Sequence, residues 1–190
     1  MSASSNIAIS TNVNKAVEVL QQGGVIAYPT EAVWGVGCDP TNTAALEKLM
    51  ALKARDPNKG VILIAASVEQ VQPLMEAITP EQQTMLDETW PGPNTWLVPP
   101  SEQVHPLVKG QHPLVAVRVT DHPLVKQLCQ VFGGAIVSTS ANPAGEPPAM
   151  SEQDIVSYFP TQLDFVLSGE LGGAKQPSRI RNLLTGETLR

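Results

Sequence analysis

One segment, residues 24–60, places an apolar strand, a polar loop, a helix and a cationic loop in succession: GVIAYPTEAVWGVGCDPTNTAALEKLMALKARDPNKG. The cationic loop carries Lys53, Arg55 and Lys59. The two polar loops are one helix length apart, so they can face each other across the end of a sheet. One wall of such a crevice offers hydroxyl and carboxylate groups, and the other offers positive charge. This arrangement predicts a site for a small anionic substrate.

The composition is that of an ordinary folded domain. The chain has 190 residues, of which 42% are hydrophobic and 16% are charged, and this length is sufficient for one substantial core. No shift in composition marks a linker, so residues 1–190 are predicted to form a single domain. Residues 1–8 are expected to fray, or to add a short edge strand at Ile7–Ile9.

The net charge and the cysteines restrict the class of protein. Twelve Lys and Arg against eighteen Asp and Glu give a net charge of −6, which disfavours strong autonomous RNA or DNA binding but leaves room for a local basic patch. Cys38 and Cys129 form no CxxC pair and no disulfide framework. No apolar run reaches transmembrane length, and the N-terminus lacks the features of a signal peptide. The expected location is the cytoplasm, with no membrane partner.

Apolar runs and helix signals alternate along the whole chain. Strands are predicted at the short apolar runs, residues 25–28, 61–64, 95–98, 114–119, 135–137 and 165–167. One helix start is predicted at Asn12 from the helical spacing of the apolar residues that follow it, and others at the capping residues Asn42 or Thr41, Ser67, Thr79, Asp121 and Ser151. A hairpin is expected around Thr185-Gly186. The alternation predicts one α/β domain with a twisted mixed sheet.

The familiar catalytic signatures are missing from this sequence. It contains no GxxxxGK[ST] phosphate loop, no GxGxxG after a strand, no GxSxG and no HExxH. The three histidines, His105, His112 and His122, match no metal-site spacing and are expected to be structural or on the surface. Catalysis by a metal held through Cys and His is therefore not expected.

Polar clusters follow three of the predicted strands, where α/β sheets bind ligands. Thr30-Glu31 follows the first strand, Arg118 lies at the end of another, and residues 138–142 follow a third. Taken alone, Thr30-Glu31 is also explained as a turn, and residues 138–142 as a hydroxyl-rich helix cap. The residues by themselves leave both alternatives open.

The cations after the second predicted helix also have two explanations. Lys53 and Arg55 suit a helix C-terminus, where the macrodipole favours positive charge. Lys59, however, follows within the same loop and concentrates three cations beside a glycine. A substrate that carries phosphate would explain this concentration, because Arg offers a planar fork and Lys a point charge.

Five segments resemble the bacterial TsaC/YrdC family of threonylcarbamoyl-AMP synthases: GGVIAYPTEAVWGVGCDP, LKARDPNKGVILIAA, WPGPNTW, LVAVRVTDHP and VSTSANPAGEPP. The similarity covers nearly the whole chain and includes PSRIRNLLTGETLR at its end. The family hallmark, Lys-x-Arg with a distant Ser-x-Asn, is met by Lys53-Ala-Arg55 and Ser140-Ala-Asn142. Either motif alone would be uninformative, whereas both in this context form a specific signal.

The resemblance implies a fold and a reaction. The fold is YrdC-like, with an open twisted mixed sheet that has a large concave face and flanking helices. The reaction converts L-threonine, bicarbonate (or CO2) and ATP to threonylcarbamoyl-AMP and diphosphate, and Mg2+ is expected to accompany the ATP. Downstream proteins then transfer the threonylcarbamoyl group to the adenosine beside the anticodon of tRNAs that read codons beginning with A.

The resemblance also implies roles for individual residues. Lys53 and Arg55 would clamp the phosphates of ATP and stabilise charge in the transition state, with help from Lys59. Arg118 would bind the carboxylate of threonine beside Thr30, and Ser140 would contact both substrates. The remaining expected nucleotide contacts are Ser138, Asn142, Ser178 and Arg190.

Two alternatives to an ATP-dependent synthase remain at this stage. An RNA-binding or ribosome-maturation activity is also attributed to the family, and Lys53, Arg55, Lys59 and Arg118 could form a local basic patch for it. Such binding weakens steeply as salt rises, whereas diphosphate release requires no RNA. A non-catalytic nucleotide sensor would bind ATP without releasing diphosphate.

Overall fold

Nine strands and seven α-helices alternate along the chain in a computed structural model that describes residues 7–190. The strands are β1 (Ala8–Ser10), β2 (Ile26–Pro29), β3 (Trp34–Gly37), β4 (Ile62–Ala65), β5 (Asn94–Val98), β6 (Val115–Val119), β7 (Ile136–Ser140), β8 (Phe165–Leu167) and β9 (Arg179–Asn182). The helices are α1 (Val13–Gln21), α2 (Thr43–Lys53), α3 (Val68–Val71), α4 (Pro80–Asp87), α5 (Pro106–Lys109), α6 (Pro123–Phe132) and α7 (Glu152–Tyr158). Short 3-10 turns lie at Pro57–Lys59 and Gln72–Leu74.

The strands of the described residues form one sheet in the order β1-β8-β2-β3-β7-β4-β6-β5-β9. The pairs β1–β8, β2–β8, β4–β6 and β5–β9 are parallel. The pairs β2–β3, β3–β7, β4–β7 and β5–β6 are antiparallel. This mixed sheet with its flanking helices confirms the predicted fold class.

Successive residues of the central strands pack into two different cores, as the two-residue period of a strand requires. Ile64 of β4 and Ile136 of β7 lie in one core together with α1 and α6. Leu63 and Val137, one residue along each strand, lie in the other core together with α2. The sheet is therefore buried on both faces, which explains the continuous apolar runs in its strands.

Strand β3 lies near the centre of the sheet and was not predicted, because residues 30–41 were expected to be a loop. Its sequence, Trp-Gly-Val-Gly, contains two glycines, which are uncommon in strands. The structure requires one of them, since a Cβ on Gly37 would lie 1.9 Å from the carbonyl oxygen of Val137 on β7. The close approach of two backbones thus replaces the side-chain pattern that normally reveals a strand.

The capping predictions were partly right. Asn12 caps α1 by accepting a hydrogen bond from the Lys15 amide, 3.2 Å away. Thr79 opens α4 with the complete predicted capping box. The box predicted at Ser67 is wrong, because Ser67 makes no capping bond and Gln70 Oε1 instead accepts from the Ala66 amide at 2.8 Å.

Two of the histidines are helix caps. Helix α6 begins after His122, whose ring accepts from the Val125 amide, so the prediction of Asp121 as its cap is wrong. Helix α5 was not predicted, and His105 caps it by accepting from the Leu107 amide at 3.1 Å. Both rings therefore have the structural role expected of them.

Both ends of the described residues form the predicted short elements. The prediction that residues 1–8 fray concerns mainly residues 1–6, which lie outside the described residues 7–190. The alternative of a short edge strand is confirmed by β1, one residue later than predicted. At the other end, Arg181 and Thr188 form an antiparallel bridge that closes the predicted hairpin. None of the helices among residues 7–190 combines the length and apolarity that a bilayer crossing requires.

Candidate active site

A cavity of about 690 Å³ lies on one face of the sheet. Its floor is a row of paired residues on five consecutive strands, β7, β4, β6, β5 and β9, which are Ser138, Ile62, Ala116, Leu97 and Asn182. Ile62 and Ser138 lie on the face that α1 and α6 cover farther along, at Ile64 and Ile136. The helices thus cover only part of this face, and the remainder forms the floor. The cavity therefore lies on the face of the sheet, and not across its end as the loops suggested.

Positive charge is concentrated around this cavity. Among the described residues that line it, the only carboxylate side chain is that of Glu31. The lining includes 5 of the chain's 12 Lys and Arg residues, although the chain as a whole carries a charge of −6. A cavity with this balance attracts anions even though the net charge of the protein is negative. The five cations are Arg55, Lys59, Lys109, Arg118 and Arg190.

The turn between β2 and β3 carries the hydroxyl and carboxylate predicted for one wall. Thr30 is 6% exposed and lines the cavity. Its hydroxyl donates to the carbonyl of Val33 at 2.6 Å, and its amide donates to the same carbonyl at 3.1 Å. The Thr30 hydroxyl oxygen is therefore held in place and remains able to accept a hydrogen bond.

Glu31 crosses from this turn to the end of β6. Its Oε1 accepts from the Thr120 hydroxyl at 2.7 Å and from the Asp121 amide at 3.3 Å. Its Oε2 lies 3.4 Å from Nη2 of Arg118, and both side chains are largely buried. Burial by itself would raise the pKa of Glu31, but Arg118, Thr120 and nearby amides lower the pKa below its ordinary value of 4.5. Glu31 is accordingly a carboxylate at neutral pH, and it forms a charge pair with Arg118.

Arg55 and Lys59 form the opposite wall together with Lys109. Arg55 is half-buried, and its Nε donates to the carbonyl of Gly60 at 3.0 Å, which leaves the rest of the guanidinium for a ligand. Lys59 is exposed, and both residues line the cavity. The prediction of a cationic wall here therefore agrees with the placement of these two side chains.

Lys109 was missed by the sequence analysis. Lys109 is the last residue of α5, and the end of this helix is joined to the loop of Lys59 by backbone hydrogen bonds, from the Val61 amide to the Val108 carbonyl at 2.8 Å and from the Gln111 amide to the Asn58 carbonyl at 3.0 Å. The contact is so close that a Cβ on Gly110 would lie 2.4 Å from the Asn58 carbonyl oxygen. Only Gly110 indicated a turn at this place in the sequence, and a single glycine is too weak a signal to predict the contact.

Lys53 is placed differently from the prediction. It is the last residue of α2, at the helix end where the sequence also placed it, and is 4% exposed, so its assignment to the cationic loop is wrong. Its ammonium donates to the carbonyls of Ser140 and Asn142, the latter at 3.1 Å, and does not line the cavity. Burial and the charge of Arg55 lower the pKa of Lys53 to about 8. The Lys-x-Arg and Ser-x-Asn motifs thus contact each other directly, through the lysine.

The Ser-x-Asn segment is a hydrogen-bonded turn at the end of β7. The Ser140 hydroxyl donates to Oδ1 of Asn142 at 2.7 Å, and Nδ2 of Asn142 donates to the Glu146 carbonyl at 2.8 Å. Ser138 and Ser140 line the cavity, whereas Asn142 does not. Asn142 therefore stabilises this turn by hydrogen bonds without facing the cavity, as Lys53 does.

The remaining predicted residues, Ser178 and Arg190, lie at the far side of the cavity and line it. Ser178 is buried and shares a hydrogen bond of 2.7 Å with the Thr95 hydroxyl, while the Arg190 guanidinium donates to the Ser178 carbonyl at 3.3 Å. His112, expected to be structural or on the surface, is exposed and also lines the cavity. Residues 7–190 contain no group of three or more His, Cys, Asp or Glu side chains arranged to hold a metal ion.

Known proteins match this chain along most of its length. Residues 18–190 match the model of the Sua5/YciO/YrdC family, whose description is "Telomere recombination". The threonylcarbamoyl-AMP synthase of Chromohalobacter salexigens is 55% identical over 175 residues, which are 92% of this chain and 94% of the relative. The threonylcarbamoyl-AMP synthase of Cellvibrio japonicus is 50% identical over 183 residues, which are 96% of this chain and 97% of the relative.

A solved structure gives the same assignment. The P. abyssi Sua5 crystal structure, a complex with L-threonine, superposes with a TM-score of 0.88 at 26% sequence identity. The match covers 96% of this chain and 55% of the Sua5 chain, so this protein spans about half the length of that relative. The resemblance to the bacterial TsaC/YrdC proteins is thereby confirmed, and the chain belongs to the Sua5/YciO/YrdC family.

Proposed function

We propose that this protein is a threonylcarbamoyl-AMP synthase, a nucleotidyltransferase that uses ATP, L-threonine and bicarbonate or CO2. The observation that carries the proposal is that a single cavity unites the cations Arg55 and Lys59 with the buried Arg118 and Thr30. The first pair suits the phosphates of ATP, and the second suits an amino acid. The names of the relatives and the threonine bound to P. abyssi Sua5 support the same reaction.

The proposed chemistry joins two anions. The neutral amine of threonine adds to CO2, supplied directly or by bicarbonate, to give a carbamate. A carbamate oxygen then attacks the α-phosphorus of ATP, the bond to the bridging oxygen of the β-phosphate breaks, and diphosphate leaves. Since both reactants are negative, the principal task of the protein is to align them and to offset their repulsion.

The cationic wall is assigned to the triphosphate. Arg55 offers a planar donor fork, and Lys59 and Lys109 offer point charges at the edge of the same cavity. These side chains would hold the β- and γ-phosphates and stabilise the negative charge that develops on the leaving diphosphate. The apolar floor at Ile62, together with Leu97, suits the flat face of the adenine base.

The other wall of the cavity, which includes Thr30 and Arg118, is assigned to threonine and is called the threonine wall. Arg118 presents donors to the cavity from the end of β6 and would bind the carboxylate of the amino acid. The Thr30 hydroxyl oxygen, held by Val33, would accept a hydrogen bond from the substrate. Ser138 and Ser140 lie on the strand between the two walls, where hydroxyl donors can reach the carbamate and the α-phosphate.

Lys53 and Asn142 are assigned a supporting role, in place of the direct phosphate contact expected for Lys53. The lysine ammonium bonds two carbonyls of the Ser140–Asn142 turn and thereby fixes the position of the Ser140 hydroxyl. Its charge still lies near the cavity, because Arg55 is two residues away. Ser178 and Arg190 would contact the nucleotide from the far side of the cavity.

Mg2+ is expected to enter with ATP and not to occupy a protein cage. Among the described lining residues, Glu31 supplies the sole carboxylate, and it is already engaged by Arg118. Mg2+ commonly retains several waters and binds substrate phosphates, so phosphate oxygens would be its main ligands. When bound, the ion would neutralise charge on the leaving diphosphate.

The proposed product has a destination in tRNA modification. Threonylcarbamoyl-AMP is a mixed anhydride, so it is a reactive donor that downstream transfer proteins would consume to modify tRNA. This role places the protein in the cytoplasm. The five cations of the cavity also favour a second activity, weak local binding of RNA.

One assay tests the proposed reaction. Purified protein is incubated with ATP, threonine and bicarbonate, and diphosphate is measured in full and drop-out mixtures at low and high salt. Diphosphate that depends on threonine and bicarbonate, and that forms without RNA, is the expected result. ATP binding without diphosphate would indicate a nucleotide sensor. RNA binding that weakens steeply with salt, again without diphosphate, would indicate an RNA-binding factor.

A further inference from the structure

We propose that Glu31 is a positioning residue that aims the Arg118 guanidinium at the carboxylate of the amino-acid substrate, without contacting the substrate through its own charge. This inference rests on the proposed function of the cavity. It is carried by the contacts of Glu31 with two residues of β6 and its end, about ninety positions away in the sequence.

One carboxylate oxygen of Glu31 is fixed and the other faces the arginine. The Thr120 hydroxyl and the Asp121 amide donate to Oε1 at 2.7 and 3.3 Å, and together they set the plane of the carboxylate. Thr120 is fully buried, and its hydroxyl oxygen also accepts from the His122 amide at 3.1 Å. Oε2 is left pointing toward Nη2 of Arg118, 3.4 Å away.

This pair contains two polar atoms that are closed off from solvent. Oε2 of Glu31 and Nε of Arg118 are buried and have no hydrogen-bond partner within the described structure. Oε2 is therefore inaccessible to a substrate in the cavity, and the lowered pKa of Glu31 makes it a poor base. The carboxylate can act on the substrate only through the arginine.

Charge explains what the carboxylate does for Arg118. A buried guanidinium without a counter-ion is strongly unfavourable and turns toward solvent or another acceptor. Glu31 engages Nη2 of the guanidinium at ion-pair distance, and Arg118 lines the cavity, so we infer that its remaining donors are held where a substrate can reach them. A substrate carboxylate then meets a donor set that is already oriented, so less binding energy is lost in ordering it.

The contacts of Glu31 also join two parts of the sheet that are far apart in the strand order. Strands β2 and β6 are four places apart in the strand order, which is about 19 Å in a flat sheet at about 4.8 Å per strand. A side chain cannot span such a distance, so the contacts of Glu31 show that the β2–β3 turn and the end of β6 approach each other over the face of the sheet. The turn is held there by a second contact, since the amides of Gly172 and Ala174 donate to the carbonyls of Thr30 and Glu31 at 3.0 and 2.8 Å. Glu31 thus joins the β2–β3 turn, which carries Thr30, to the end of the strand that carries Arg118.

Threonine binding to the Glu31→Gln variant, measured by calorimetry without ATP, tests this inference. Glutamine keeps an oxygen for Thr120 and Asp121, but it removes the charge that faces Arg118. We expect the Kd for threonine to rise about tenfold or more. The KM for ATP, measured separately by diphosphate release, should change less than about twofold. Glu170→Gln removes an exposed carboxylate nearby and should change neither value. Unchanged threonine binding by folded Glu31→Gln would overturn the proposal.

A double-mutant cycle separates positioning from general stabilisation. If Glu31 acts through Arg118, the Glu31→Gln change should have almost no further effect on threonine binding in an Arg118→Gln background. Equal losses in both backgrounds would show that Glu31 acts independently, and would contradict the inference. Should Glu31→Gln not fold, Thr120→Val removes the donor to Oε1 at nearly constant volume and should weaken threonine binding about threefold or more. Unchanged binding by this variant would equally overturn the proposal.

Failure of the proposed function gives a different result. A wild-type protein that binds threonine and shows the predicted non-additivity, but releases no diphosphate, would disprove the synthase and retain the role of Glu31. If the wild-type protein releases diphosphate but Glu31→Gln leaves threonine binding unchanged, the synthase reaction is retained and the positioning role of Glu31 is disproved.

Discussion

The two walls of the cavity are built by different means. On the cationic wall, Arg55 and Lys59 emerge from one loop whose backbone is bonded to the segment around Lys109, and the side chains themselves have few partners. On the threonine wall, Glu31 and Arg118 are buried and depend on side-chain contacts between distant parts of the chain. The side chains of the cationic wall are thus expected to bind ligand without contributing much to folding stability. Those of the threonine wall are expected to contribute to both. Substitution of the ligand-facing side chains should therefore change activity alone on the cationic wall, and activity together with stability on the threonine wall.

The largest effect is expected for Arg55→Ala, which tests the independence of the cationic wall. Loss of a charge-assisted contact to phosphate should reduce transition-state stabilisation by about 2–4 kcal/mol. The free energy of unfolding should change by less than about 1 kcal/mol, because the side chain makes a single hydrogen bond, to the Gly60 carbonyl. Diphosphate release and chemical denaturation measure the two quantities, and exposed Arg179→Ala is the matched control. Near-normal turnover would contradict the phosphate role.

Lys53→Met should behave in the opposite way from Arg55→Ala, although the two residues share one motif. Methionine leaves the carbonyls of Ser140 and Asn142 without their donor, so the free energy of unfolding should fall by about 1–3 kcal/mol. Urea denaturation checks this value, with exposed Lys15→Met as the control. A variant with full stability would show that Lys53 does not hold the Ser140–Asn142 turn.

Gly110→Ala tests whether backbone contact builds the cationic wall. Gly110 has a φ of +67°, and its added Cβ would lie 2.4 Å from the Asn58 carbonyl oxygen. We expect a loss of about 1–3 kcal/mol in stability and a severalfold rise in the KM for ATP. Gly133→Ala is the matched control, because Gly133 also has a positive φ, of +87°, but nothing lies within 4 Å of its added Cβ. Equal KM values for ATP in the two variants would show that the contact between Gly110 and Asn58 does not position the cationic wall.

The smallest effect concerns pH and the threonine wall. Because the folded-state pKa of Glu31 lies below 4.5, its carboxylate stabilises the fold above that pH, and this contribution is lost as the pH falls through the lowered pKa. The difference in unfolding free energy between wild type and Glu31→Gln should therefore shrink as the pH falls below about 4.5. Denaturation at several pH values measures it, and a difference independent of pH would contradict the charge pairing.

Much of the fold was predictable because its signals are local. The apolar runs that became β4, β6 and β7, and the capping residues Asn12 and Thr79, are properties of neighbouring residues. Strand β3 was not predictable in this way, since its glycines are explained only by the backbone of β7 beside it.

The candidate site was predictable in its residues but not in their orientation. Eight of the ten predicted side chains line the cavity, and the exceptions are Lys53 and Asn142. The sequence carries no signal that the Lys53 ammonium bonds the Ser140–Asn142 turn, because burial depends on tertiary packing. The pairing of Glu31 with Arg118 was likewise invisible, since two strands far apart in the sheet must first be brought together.

We propose above that the two walls of the cavity bind two substrates of one reaction. Mass spectrometry of a mixture of purified protein, ATP, L-threonine and bicarbonate detects the product of that reaction. We expect threonylcarbamoyl-AMP in the complete mixture, none when threonine or ATP is omitted, and a sharp loss with Arg55→Ala. Absence of this product from folded protein that binds both ATP and threonine would disprove the assignment of the two walls.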